Sequence, residues 1–297
     1  MDYNELLDHV CDYINEKLDG AKAVVMSTVK NNGVKLSGLS ISKEGVNAAP
    51  TIYMENFYLD YLNGTDIWEI AEKVIEIYNN TAVSKDIDVD FFMNYEKAKS
   101  HMFIKLINAE KNEELLKSVP HETCMDLAVV AYCKIKSKEI GNGSILINNK
   151  HLEMWNIKSG ELFADARENT GQTSSMKIRD IMDVLRESGP LFVDDILPPV
   201  ETEDRTGMYV VTSEDGFYGA AYMAMPDKLR EMSDKLEGDF YIIPSSVHEL
   251  LILPKECGDL DVLKEMIVDV NESVVEREEV LADHAYYYSA DDATLIF

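Results

Sequence analysis

Apolar residues recur three and four apart at Leu6, Leu7, Val10, Ile14 and Leu18, which is the period of a helix that buries one face, and Gly20 follows as a stop. Residues 23–39 are richer in β-branched side chains and enclose Asn31-Asn32-Gly33, so they read as a hairpin closed by that turn. A short strand over 51–54 comes next. Phe57, Leu59, Tyr61 and Leu62 then predict a short helix ending at Asn63-Gly64. Thr65 or Asp66 caps another helix, whose inward face is Ile67, Ile70, Ala71, Val74, Ile77 and Tyr78 with Trp68 beside it. The polar stretch 80–90 precedes a strand over 103–107. A boundary near 108 divides an N-terminal α+β region, 1–108, from a C-terminal one, 109–297, with a single domain as the alternative.

Beyond that point a strand–strand–helix pattern recurs. Residues 126–135 and 144–147 pair across Gly141-Asn142-Gly143, with a helix over 160–169. Residues 208–212 and 219–225 pair across Glu214-Asp215-Gly216, and Pro226 opens a helix. Residues 240–243 and 249–253 pair across 244–248, followed by Leu260, Leu263, Ile267 and Val270 at helical spacing. The expected class is α+β, with antiparallel sheets built from these units and helices on one face. The units share a pattern and not residue identities, so no sequence repeat is assigned. Residues 189–207, rich in proline and acid, read as a mobile surface connection, or as a lid if a site lies beneath it.

Charge adds a constraint on partners. The chain has 55 acidic and 28 basic residues, a formal net charge of -27, and its field repels phosphates and anionic headgroups. Direct binding to nucleic acid or to an anionic membrane is therefore not expected, whereas a protein partner with a basic surface is favoured. The acids are scattered along the chain and form no tail. Cys11, Cys124, Cys133 and Cys257 form no CxxC pair, which fits reduced thiols. The start, with Asp2, Glu5 and Asp8, lacks the pattern of a signal peptide, and the longest apolar runs fall far short of a membrane span of about 20 residues. A cytoplasmic location is the expectation.

Four local groupings carry candidate chemistry. Ser245, Ser246, His248 and Glu249 bring hydroxyl, imidazole and carboxylate together where a turn meets an apolar strand, although serines in such turns commonly bond to turn backbone. Triad members usually converge from distant segments. His121 and Cys124 place an imidazole near a thiol, as a cysteine nucleophile requires, against the plainer reading of a buried inert thiol. In an extended segment His151 and Glu153 share a face, half of a metal site that Asp283 and His284 complete if the tail folds back. The aromatic run Tyr286-Tyr287-Tyr288 reads as a closing strand, with a contact surface as the alternative. No glycine-rich phosphate loop, HExxH helix, calcium loop or nucleophile elbow is present, so no cofactor is expected.

Four phrases in order, Ser118-Val119-Pro120-His121, His151-Leu152-Glu153-Met154-Trp155, Pro244-Ser245-Ser246-Val247-His248-Glu249 and Ala282-Asp283-His284-Ala285-Tyr286, resemble the bacterial family catalogued as domain of unknown function 5688. The resemblance covers most of the chain. It implies a bacterial cytoplasmic origin in an anaerobic gut lineage, sometimes within mobile elements, and it carries over no catalytic residue. Three functions compete on the residues alone. The first is a binding or interaction module without catalysis. The second is a hydrolase or metal-dependent enzyme built on converging His121, His151 and His248. The third is an acidic mimic of nucleic acid that blocks a DNA-binding protein, which requires carboxylates arrayed along one elongated face.

Overall fold

A reciprocal cap starts the first helix, α1 (Tyr3–Lys17). The Asp2 carboxylate accepts the Glu5 N–H at 2.9 Å, and the Glu5 carboxylate accepts the Asp2 N–H at 2.8 Å. The computed structural model describes residues 1–47, 49–81, 90–137, 141–173, 175–188, 207–244, 246–258 and 260–297. They form two units, 1–93 with 134–144 and 94–133 with 145–297.

In the first unit the buried stripe of α1, Leu6, Leu7, Val10 and Ile14, shares a core with Leu39 and Ile41 of a three-stranded antiparallel sheet. Its strands are β1 (Ala21–Val29), β2 (Lys35–Lys43) and β3 (Thr51–Tyr53), in that order. Asn31-Asn32-Gly33 turns the chain between β1 and β2, with φ of 61° at Asn32 and 67° at Gly33, a conformation that asparagine and glycine tolerate best. After α2 (Glu55–Leu62), helix α3 (Ile67–Thr81) adds Ile70, Ala71, Val74 and Tyr78 to the same core.

At the outer edge of β1, the Asn15 side chain accepts the Ala23 N–H at 2.8 Å and donates to the Ala23 carbonyl at 3.1 Å. The helix thus supplies the pair of bonds that a neighbouring strand would make there.

The second unit begins with α4 (Tyr95–Ala98) and β4 (Met102–Asn108). After α5 (Glu113–Leu116), the long strand β6 (Leu127–Ser137) lies between β4 and β5 (His121–Cys124), and β7 (Gly141–Leu146) also pairs with β6. Residues 134–137 of β6 and 141–144 of β7 belong to the first unit. Helices α6 (Asn149–Trp155) and α7 (Ser159–Thr173) follow. Along β4, the Thr170 hydroxyl accepts the Ile104 N–H at 3.1 Å, and the Asn169 amide donates to the Met102 carbonyl at 2.8 Å.

A six-stranded antiparallel sheet completes this unit. It contains β8 (Met176–Asp180), β9 (Tyr209–Ser213), β10 (Phe240–Ile243), β11 (Glu249–Pro254), β12 (Tyr286–Ser289) and β13 (Thr294–Ile296), in spatial order β13-β12-β10-β11-β9-β8. Helix α8 (Ile181–Ser188) follows β8 directly, and α9 (Pro226–Leu236) follows the segment 219–224 that comes after β9. Helix α10 (Leu260–Ser273) buries Leu263 and Ile267 with Ile243 and Leu253. Phe240, Ile242, Leu250, Ile252, Tyr286 and Tyr288 are fully buried. The aromatic tail is thus a closing strand, paired on one side with β10 and on the other with β13.

The class is α+β with antiparallel sheets, and three local expectations are corrected. Residues 219–224 form a 3₁₀ helix where a strand was expected, because both edges of β9 are already taken, by β8 and by β11. Gly141-Asn142-Gly143 lies inside β7 and is not the turn before it. His151 and Glu153 lie on α6 and not in an extended segment. Asn148 starts that helix by accepting the His151 N–H, and Asn156 ends it with φ of 55°. Ser245 and the connection 189–206 lie outside the described residues.

Candidate functional site

The richest convergence of titratable and aromatic groups surrounds His248, at the entry to β11. Tyr218 has φ of 55°, and this left-handed turn directs its N–H to the Nδ1 of His248 at 3.2 Å. Nδ1 therefore acts as an acceptor, which places the ring proton on Nε2, and Nε2 lies 3.3 Å from Glu279 Oε1. The Tyr218 ring stacks on the imidazole with centroids 5.1 Å apart, and Phe217 meets it edge-on at 5.7 Å. From β4, the Lys105 ammonium sits 4.7 Å from the centre of the Tyr218 ring. From β6, Tyr132 meets that ring at 4.7 Å.

The turn before His248 is held by its own polar atoms. The Ser246 hydroxyl accepts the His248 N–H at 3.0 Å, and the Ser246 N–H donates to the Glu249 carbonyl at 3.2 Å. The His248 carbonyl accepts from Gly219 N–H at 2.9 Å and from the Thr212 hydroxyl at 3.1 Å. Burial pushes the Glu249 carboxyl up, and Glu279 adds to this.

Burial also pushes the His248 pKa below its ordinary value. Glu279 pulls against that shift, and Lys105 reinforces it. A histidine with a depressed folded pKa binds fewer protons folded than unfolded, so stability falls with falling pH. The contribution is complete above the unfolded value of about 6.5 and is lost as pH drops from there through the folded value. Urea midpoints measured from pH 7.5 to 5.5 are expected to fall more steeply in the wild type than in His248→Gln. Parallel profiles would show that His248 does not carry the effect.

A second convergence lies at the turn from β5 to β6. The Tyr286 hydroxyl donates to Asp126 Oδ1 at 2.6 Å, and the His284 Nε2 stands 3.7 Å from Asp126 Oδ2, beyond hydrogen-bond distance. The His284 ring stacks on Phe297 at 5.0 Å. On β5, Glu122 accepts from Arg167 of α7 at 2.5 Å, while Arg167 also donates to the Ala224 carbonyl at 2.8 Å. Burial pushes the Cys124 thiol up, and Arg167 only partly opposes it. Cys124 therefore stays protonated near neutral pH, and a thiol is a far weaker nucleophile than a thiolate.

The remaining candidates have other neighbours. On β5, exposed His121 donates from Nδ1 to the Val119 carbonyl at 2.9 Å. Its register with Val130, which is also opposite Lys105, places it two strands from Lys105 on one face of the sheet. His151 accepts the Asn148 N–H at 3.2 Å and lies 5.7 Å from the buried Trp155 ring, and Glu153 is exposed. Asp283 accepts from Asn271 at 2.9 Å and pairs with Lys111 at 3.4 Å. The tail does return, but His284 comes to Asp126. Among the described residues no group of three or more His, Cys, Asp or Glu side chains is placed to hold a metal ion. Sequence reasoning missed Lys105, Tyr218 and Glu279 as partners of His248, because they come from three distant segments and none carries a local pattern.

A family model described as "Family of unknown function (DUF5688)" matches residues 3–290, and the chain belongs to that family. No curated protein and no solved structure matches the chain. No helix among the described residues is long and apolar enough to cross a membrane.

Proposed function

We propose that this protein is a cytoplasmic binding module without catalytic activity of its own, whose partner is a protein with a basic surface. The observation that carries the reading is the state of His248. One ring nitrogen accepts a backbone N–H and the other faces Glu279, so neither is open to a substrate proton. Cys124, the nearest thing to a nucleophile, is held as a thiol. The net charge of -27 supplies the attraction for a basic partner. Four free cysteines, two of them buried, support a reducing compartment.

Fluorescence anisotropy with labelled octalysine and octaglutamate tests this. Saturable binding of octalysine alone is expected, with one peptide per chain, weakening as salt rises and unchanged in His248→Gln and Cys124→Ser. Absence of octalysine binding at low ionic strength would overturn the reading. So would hydrolysis of a chromogenic ester that Cys124→Ser abolishes.

A further inference from the structure

We infer that the outer face shared by α1 and α3 is where a Lys- or Arg-bearing segment of the partner docks, its cation over Trp68 and among the carboxylates of Glu69, Glu72 and Glu76. The inference rests on the reading that the partner is basic, and it names the surface. Trp68 is 51% exposed, although it stands on the same helix as a well-formed core stripe. Its ring meets Tyr13 of α1 at 5.1 Å, and the Tyr13 hydroxyl donates to Glu72 at 2.5 Å, which fixes the aromatic pair beside a carboxylate. Large indole and phenol faces attract ammonium and guanidinium groups, indole most strongly.

This surface already gathers cations from its own chain. The Lys17 ammonium lies 5.3 Å from the centre of the Tyr13 ring, and Lys73 pairs with Glu69 at 2.9 Å. Half of Trp68 remains exposed beside Tyr13, and Glu76 is exposed and forms no ion pair among the described residues. Next to Trp68, a shallow groove of about 380 Å³ runs along the outside of α3, lined by Glu69, Glu72, Lys73, Ile75, Glu76 and Asn80 among others. Aromatic contact area flanked by carboxylates complements a basic peptide in both chemistry and charge.

The test is anisotropy of labelled octaarginine and octalysine with the wild type, Trp68→Ala and Glu76→Lys, with folding checked by circular dichroism and spermine as competitor. Trp68→Ala is expected to weaken binding about fivefold, the loss of one cation–π contact, and Glu76→Lys by at least as much. Glu76→Lys changes an exposed position, so it tests the site if Trp68→Ala fails to fold. Wild-type binding that neither variant weakens would remove this site and leave the broader reading standing. No wild-type binding at low salt would remove both. Competition by spermine as tight as that of the peptides would overturn a peptide segment as the occupant.

Discussion

Gly219→Ala is expected to lower the stability of the second unit by about 3 kcal/mol, the upper end of what forced overpacking usually costs. A Cβ at this position would lie 2.6 Å from Thr212 Cα, 2.7 Å from Ser213 N and 2.8 Å from the His248 carbonyl oxygen. All three are backbone atoms, so no rotamer change relieves the clash. The strand β9 or the turn at His248 must move, and with it the 2.9 Å bond from Gly219 to His248. Gly160→Ala in α7 is the control, since its added methyl meets nothing within 4 Å and is expected to be neutral or slightly stabilising. Urea unfolding of both variants decides the matter. Equal midpoints would mean that the backbone around His248 yields more easily than its packing implies.

Asp126→Ala is expected to cost about 2.5 kcal/mol, because it leaves the hydroxyl of a fully buried tyrosine without an acceptor. Tyr286 is 0% exposed, and its bond to Asp126 at 2.6 Å joins β12 to the β5–β6 turn. Tyr286→Phe removes the donor instead and is expected to cost less, since Asp126 is only partly buried and water reaches it. In a double-mutant cycle the two changes are expected to couple by about 1.5 kcal/mol. Additive costs would show that the bond contributes nothing of its own. An enzyme built on Cys124 would instead show a pH-dependent loss of activity in Asp126→Asn with stability nearly unchanged.

Helices with a strict apolar stripe were legible in the sequence. Periodicity selected Leu6, Leu7, Val10 and Ile14 of α1 and Ile70, Ala71, Val74 and Tyr78 of α3, which are buried. It missed buried Cys11 and wrongly turned Ile77 inward, which is 38% exposed. The Asn31-Asn32-Gly33 turn falls where its chemistry placed it. The pattern failed where two readings share one composition. Ala220, Ala221 and Tyr222 suit a buried strand and a packed 3₁₀ helix equally well, and the saturated edges of β9, a tertiary fact, decide between them. His151 and Glu153 alternate as in a strand, yet the Asn148 cap and the Asn156 stop enclose a helix.

The candidate sites were legible in part. Ser246, His248 and Glu249 do lie together, because they are neighbours in the chain. What completes each cluster arrives from 30 or more residues away, as the contacts of His248 with Tyr218 and Glu279 show, and the sequence holds no record of that distance. The same applies to Asp126, two residues beyond Cys124 in the chain, which meets its partner 160 residues later.

The Asn15 amide at Ala23 bears on how the molecule behaves in company. Beyond Ala23, β1 presents Val24, Val25, Met26 and Val29 with more than two fifths of each exposed. An apolar edge strand of that kind is a template on which identical chains stack into fibres. By occupying the hydrogen-bonding groups of Ala23, the Asn15 amide, joined on the carbonyl by the Cys11 thiol at 3.5 Å, shortens the run on which a second copy can register. In a chain with this much apolar edge, side chains of α1 at Ala23 thus act in the direction of opposing self-assembly, alongside the mutual repulsion of like-charged molecules.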